Sequence, residues 1–264
     1  MLLDSRTGDL VQVLATFDDP DAEVPEGEPA GMGRYLGPMA VGADGFVYYE
    51  TCCEPAVGEI FRVPVQGGEP ERVTYGTDPA ISPDGTELAV VEVQALKVRD
   101  LRTGEETRYE IADQTSVAGL AHPSWSPDGT MLALERYDQQ IDQGRVVVVT
   151  LDGAEDVLDA APTVAEFDDG GTPTFPTFDA DGRLLVAYQP LRDQVASGPG
   201  QLLTIDPVDG SQLAPPRPLA DAVLAQSRSL DGFVIQLLAD DTVVLNAALA
   251  PEAIPDRGVF DVAW

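Results

Sequence analysis

One turn, returning at regular intervals, constrains this chain more than any other feature. It occurs as Gly42-Ala43-Asp44-Gly45, Ser82-Pro83-Asp84-Gly85, Ser126-Pro127-Asp128-Gly129, Asp179-Ala180-Asp181-Gly182 and Ser229-Leu230-Asp231-Gly232. The final glycines stand 40, 44, 53 and 50 residues apart. Asp-Gly favours a hairpin, because glycine accepts a positive φ without a Cβ clash. A short apolar segment precedes each copy, as in His122-Pro123-Ser124-Trp125. A β-branched or alternating segment follows: Phe46 to Tyr49, Glu87 to Val91, Met131 to Leu134, Arg183 to Ala187 and Phe233 to Leu238. The turn therefore joins a strand a to a strand b.

A second turn follows in most units: Gln66-Gly67-Gly68, Arg102-Thr103-Gly104, Leu151-Asp152-Gly153 and Val208-Asp209-Gly210. Each reads as a c–d hairpin, and no helical period intervenes. The expected fold is all-β, a β-propeller of six four-stranded blades, since radial packing buries both faces of small repeated sheets. Full blades are expected over 36–76, 77–112, 117–160 and 173–219, with a fifth over 222–250 whose strand d is weak. Leu2 to Leu14 reads as a c–d hairpin and Val259 to Trp264 as a strand a. Together they are expected to close the ring in one shared blade, whose strand b is missing from both ends. That leaves residues 1–264 as a single propeller domain, with an N-terminal part of the shared blade possible before residue 1.

These repeats resemble the TolB-type, WD40-like propeller repeat. Its mark is a Ser-Pro-Asp-Gly turn after a small-aromatic-Ser strand, matched by Ser124-Trp125-Ser126-Pro127-Asp128-Gly129-Thr130 and by Ile81 to Thr86. The outer copies depart from it, with Ala43, Ala180 or Leu230 in the proline slot. The resemblance implies an extracytoplasmic or cell-envelope location and a protein or peptide held at the channel mouth. The same repeat also occurs in peptidase propellers, so the fold does not fix the function.

Composition narrows the partners. Lys+Arg number 15 and Asp+Glu 46, a formal net charge of −31, and Lys97 is the only lysine. Such a surface repels nucleic acid, whose phosphates need clustered cations. No apolar run reaches the roughly 18 residues of a membrane helix, so no membrane insertion is expected, and a monomer is. The bland source of the acidity is salt adaptation. The segment Asp18-Asp19-Pro20-Asp21-Ala22-Glu23-Val24-Pro25-Glu26-Gly27-Glu28 reads as a solvated acidic loop, with Ca²⁺ capture or docking of a basic peptide as its alternative. It does not fit the EF-hand pattern, which needs Asp or Asn at alternating positions before an obligatory Gly. No cofactor is otherwise expected.

In a propeller, a–b and c–d turns lie on one face and b–c and d–a loops on the other. The long connections, Asp18 to Leu36, Glu50 to Glu59, Arg136 to Arg145, Ala161 to Pro173 and Gln189 to Gln201, all read as b–c or d–a loops. Loops on a rigid scaffold are where binding concentrates. The candidate binding residues on that face are Arg34, Tyr35, Cys52, Cys53, Glu54 and His122. Tyr and Arg are enriched at hot spots. The adjacent Cys52 and Cys53 are either one packed and one exposed thiol, or a vicinal disulfide. His122, the only histidine, reads as a hydrogen-bonded structural residue or as a ligand contact. The sequence holds no Gly-x-Ser-x-Gly elbow, phosphate loop, zinc spacing or His-Glu-x-x-His. The expected function is thus a non-enzymatic binding scaffold. The alternative is the propeller domain of a larger hydrolase or peptidase, or a metal-dependent propeller enzyme.

Overall fold

A computed structural model describes residues 35–219 apart from 53–57, 93, 113–116, 139–142, 152–157, 168–170, 190, 193–194 and 197–199. It also describes the backbone of the outlying strands at 2–3, 10–12, 223–228, 234–238, 242–245 and 251–254. All regular structure in these residues is β. Strands β1 (Leu2–Leu3) and β2 (Leu10–Gln12) form a two-stranded antiparallel sheet. Then come β3 (Tyr35–Val41), β4 (Phe46–Cys52), β5 (Glu59–Pro64) and β6 (Glu71–Tyr75), hydrogen-bonded in that order as blade one. Blade two is β7 (Thr77–Ile81), β8 (Glu87–Glu92), β9 (Ala95–Asp100) and β10 (Glu106–Glu110). Blade three is β11 (Val117–Trp125), β12 (Met131–Asp138), β13 (Gln143–Thr150) and β14 (Thr163–Ala165). Blade four uses β15 (Thr172–Phe178), β16 (Leu184–Gln189), β19 (Gln201–Ile205) and β20 (Gln212–Pro218). Its b–c connection carries a small hairpin, β17 (Leu191–Arg192) with β18 (Val195–Ala196). Blade five is β21 (Val223–Arg228), β22 (Val234–Leu238), β23 (Thr242–Leu245) and β24 (Pro251–Ile254).

The first strands β3, β7, β11, β15 and β21 pack on one another in series. This is the radial plan of a propeller, with strand a innermost. Strand b alternates its side chains between neighbours, as a pleated strand must. Leu88 and Val90 join Tyr48 and Ile60 of blade one, while Ala89 and Val91 join Trp125, Leu132 and Leu134 of blade three. Ala133, Val146 and Val148 then meet Phe178, Leu184 and Val186 of blade four. Trp125 lies in the core, and its indole N–H donates across the junction to the Ala80 carbonyl at 3.1 Å.

Two blade boundaries differ from the sequence reading. Strand d of blade three lies at Thr163–Ala165, past the expected end at 160 and inside the segment read as a d–a loop. The c–d connection over 151–162 is therefore long. The reason is Leu158, which is fully buried in the core between blades two and three, so the connection adds an apolar plug. In blade five a regular strand d exists at Pro251–Ile254, beyond the expected limit of 250. Residues 255–264 lie outside the described residues, so closure by Val259 to Trp264 does too. The acidic segment 18–28 is also outside them.

Candidate functional site

Proline punctuates strand a. Gly37-Pro38, Asp78-Pro79, His122-Pro123 and Phe175-Pro176 each fall inside a break in the a–b register, between Leu36/Met39, Thr77/Ala80, Ala121/Ser124 and Thr174/Thr177. Proline offers no N–H to the ladder, so a bulge is where a strand tolerates it. Asp78, His122 and Phe175 adopt φ of 50°, 49° and 51°. They are the only non-glycine residues with positive φ among the described residues. A side chain other than glycine in this left-handed region costs on the order of 1–3 kcal/mol and persists only where its surroundings hold it.

What holds each one is a carboxylate from the preceding strands. The Asp78 amide donates to Glu50 Oε2 at 3.0 Å, from strand b of blade one. The His122 amide donates to the Asp78 carboxylate, from strand a of blade two. The Phe175 amide donates to Glu135 Oε1 at 2.5 Å, from strand b of blade three. Three successive blade junctions thus carry the same latch. Buried amides need acceptors, and the bulge has taken these away from their own ladders.

The latches converge on His122. Its Nδ1 lies 2.8 Å from Glu135 Oε1 and its Nε2 lies 3.9 Å from Asp78 Oδ1. Nδ1 carries the hydrogen when Glu135 is ionised, because an ionised carboxylate only accepts. The Phe175 ring leans on the imidazole, with centroids 4.4 Å apart and a 50° tilt. Glu50 is buried, and Asp78 and Glu135 side chains are 15% and 17% exposed against 33% for His122. The imidazole is therefore the group a solute meets first. Burial pushes the Glu50 carboxyl above its usual range, and the Asp78 amide offsets this only in part. Burial also raises Asp78, against the pull of His122, while the nearby Glu135 adds to the rise. Two carboxylates flank the imidazole and a third, Glu50, lies behind them on the Asp78 amide, so the site favours positive charge. Among the described residues, no group of three His, Cys, Asp or Glu has the arrangement to hold a metal ion.

Of the six sequence candidates, His122 lies in this cluster. Tyr35 and Cys52 are cross-strand partners at the end of blade one. Arg34, Cys53 and Glu54 lie outside the described residues, and the Cys52–Cys53 bond with them. Sequence reasoning missed Glu50, Asp78, Glu135 and Phe175. A signal existed: Pro79, Pro123 and Pro176 each stand five residues before Asp84, Asp128 and Asp181. That phase marks the residue before each proline as the same place in three blades.

No protein-family model and no curated protein matches the chain. Solved structures do. TolB from Acinetobacter baumannii aligns at TM-score 0.57 with 17% identity over 79% of this chain, and the match spans 52% of that protein. A gluconolactonase-like protein aligns at TM-score 0.60 with 11% identity, covering 85% of this chain and 79% of that one. Regucalcin from Agrobacterium tumefaciens, described as a calcium-binding protein, aligns at 0.56 with 13% identity, covering 86% and 77%. At these identities the likeness shows the β-propeller fold alone. The chain spans about half the length of the TolB it matches.

Proposed function

We propose that this propeller is a binding module of TolB type, with six blades, whose channel-mouth cluster receives a cationic group of a protein or peptide partner. The observation that carries the reading is that Glu135 and Asp78 flank a single imidazole, His122, with Glu50 behind them on the Asp78 amide, at three strained backbone positions. Strain of this kind gathers where a scaffold must present groups in a fixed geometry. A lysine, arginine or α-amino group entering beside His122 meets carboxylates that are already desolvated, so its charge is compensated without reorganising the site. The overall charge of −31 adds steering for a basic partner. An extracytoplasmic location goes with the TolB resemblance.

The test is binding of fluorescent peptides rich in Arg or Lys, against sequence-matched Gln peptides, in low salt and in molar NaCl. Basic peptides should bind and Gln peptides should not. Glu135→Gln or Asp78→Asn should weaken binding about tenfold, the value of one charge-assisted contact. Equal binding of the Gln peptides overturns the reading. So does an effect as large from Arg102→Ala on the turn face. Calcium competition at micromolar levels would instead identify the site as a cation site for metal.

A further inference from the structure

Blade three contains a second charged feature, of opposite sign. Arg136 on β12 and Arg145 on β13 are direct cross-strand partners, so their side chains stand on the same face of the sheet. Like charges in this position repel. In a chain with 15 basic and 46 acidic residues, an arginine has every opportunity for a carboxylate opposite. Here the partner of each is the other.

Among the described residues, a carboxylate meets only one of the two charges. Arg145 Nη2 donates to Asp138 Oδ2 at 2.9 Å. Arg136 Nη1 donates to the neutral Leu158 carbonyl at 3.1 Å. The Nε atoms of both arginines are buried and have no hydrogen-bond partner, two of only three such side-chain atoms among the described residues. A buried donor left without a partner is destabilising, and more so when it is charged. Two such donors on adjacent cations are therefore a costly arrangement for a static protein. An arginine offers its Nε–H and one Nη–H as a planar fork that fits two oxygens of a carboxylate.

We infer that Arg136 and Arg145 form a binding site for an oxyanion of the carboxylate class, held between the two guanidinium edges. Arg145 is 23% exposed, so its outer end is open to solvent. Binding requires the side chains to turn and uncover the buried Nε–H groups. A bound carboxylate supplies the missing negative charge and accepts both free N–H bonds. The site is separate from the His122 cluster: Glu135 and Arg136 are successive residues on one strand and point to opposite faces. It does not depend on the cationic-ligand reading.

The experiment follows the arginine side-chain Nε–H resonances of the ¹⁵N-labelled protein while sodium succinate is added, at ionic strength held constant with NaCl. A second titration uses a short Glu-rich peptide. The expected result is saturable movement of two Nε–H signals, absent with chloride alone and removed singly by Arg136→Lys and Arg145→Lys. Each variant should bind about tenfold more weakly. Lysine keeps the charge, so folding is retained while the fork is lost. A response to succinate assigns a small-molecule ligand, and a response to the peptide alone assigns an acidic protein segment. Signals that stay in place with both probes, or that move equally with chloride, overturn the inference.

Discussion

The turn ends of blades two and three and the channel ends of blades one and two use the same residue types in opposite ways. At the turn end, Asp84 and Asp128 are exposed and sit below the usual carboxylate range. The Ser82 and Ser126 hydroxyls are the first cause, and the amides and hydroxyls of Thr86 and Thr130 add to it. At the channel end, Glu50 and Asp78 are desolvated and sit above that range. The turn carboxylates are ionised and satisfied by neighbours within a few residues. The channel carboxylates are held against the cost of burial, by contacts from other blades. A repeat can thus separate a stabilising end from a strained end that is free to carry function.

The largest break in this comparison is expected at a latch. Glu50→Ala leaves the Asp78 amide without its acceptor and should cost about 1–3 kcal/mol. Glu50→Gln keeps an acceptor and removes the buried charge, so it should be near neutral at pH 7. Urea unfolding of both variants checks this, and equal losses would show that charge, not the hydrogen bond, matters at Glu50.

The pH profile tests both ends at once. Glu50 and Asp78 have folded values above the unfolded value of about 4. A raised carboxyl takes up protons on folding, so its contribution to stability falls as pH rises from about 4 through the folded value. Asp84 and Asp128 are depressed, so their contribution is present above about 4 and is lost as pH falls through their folded values. Stability should therefore increase from neutral pH to about 5 and decline below about 4. The initial increase should disappear in a Glu50→Gln, Asp78→Asn double variant, as read by urea midpoints across pH.

The smallest effect is expected at a turn. The buried Ser126 hydroxyl accepts from the Met131 amide at 2.9 Å and donates to Asp128 at 2.7 Å. Ser126→Ala removes both bonds and should cost about 1 kcal/mol, since the exposed Asp128 regains water and Gly129 still closes the turn. Thermal unfolding checks it. A loss as large as that of Glu50→Ala would remove the distinction between the ends.

The blade pattern was legible in the residues alone, because the turns that define it are satisfied locally. Ser82 Oγ takes the Glu87 amide, and Asp84 takes the Thr86 amide, all within one hairpin. Such contacts leave a residue pattern at fixed spacing. The residues before the turn suggested that His122 begins strand a, whereas β11 starts at Val117 and holds His122 at an internal bulge. Only the tertiary structure decided the cluster around it, because Glu50 reaches Asp78 across 28 residues and Glu135 reaches Phe175 across 40. These latches depend on which blade stands next to which, and no local spacing encodes that. The long c–d connection of blade three was hidden likewise. Leu151-Asp152-Gly153 has the composition of a tight turn, yet the chain runs on to bury Leu158 between two blades. Burial against a neighbouring sheet outweighed the local turn preference there, and the neighbour exists only once the ring is assembled.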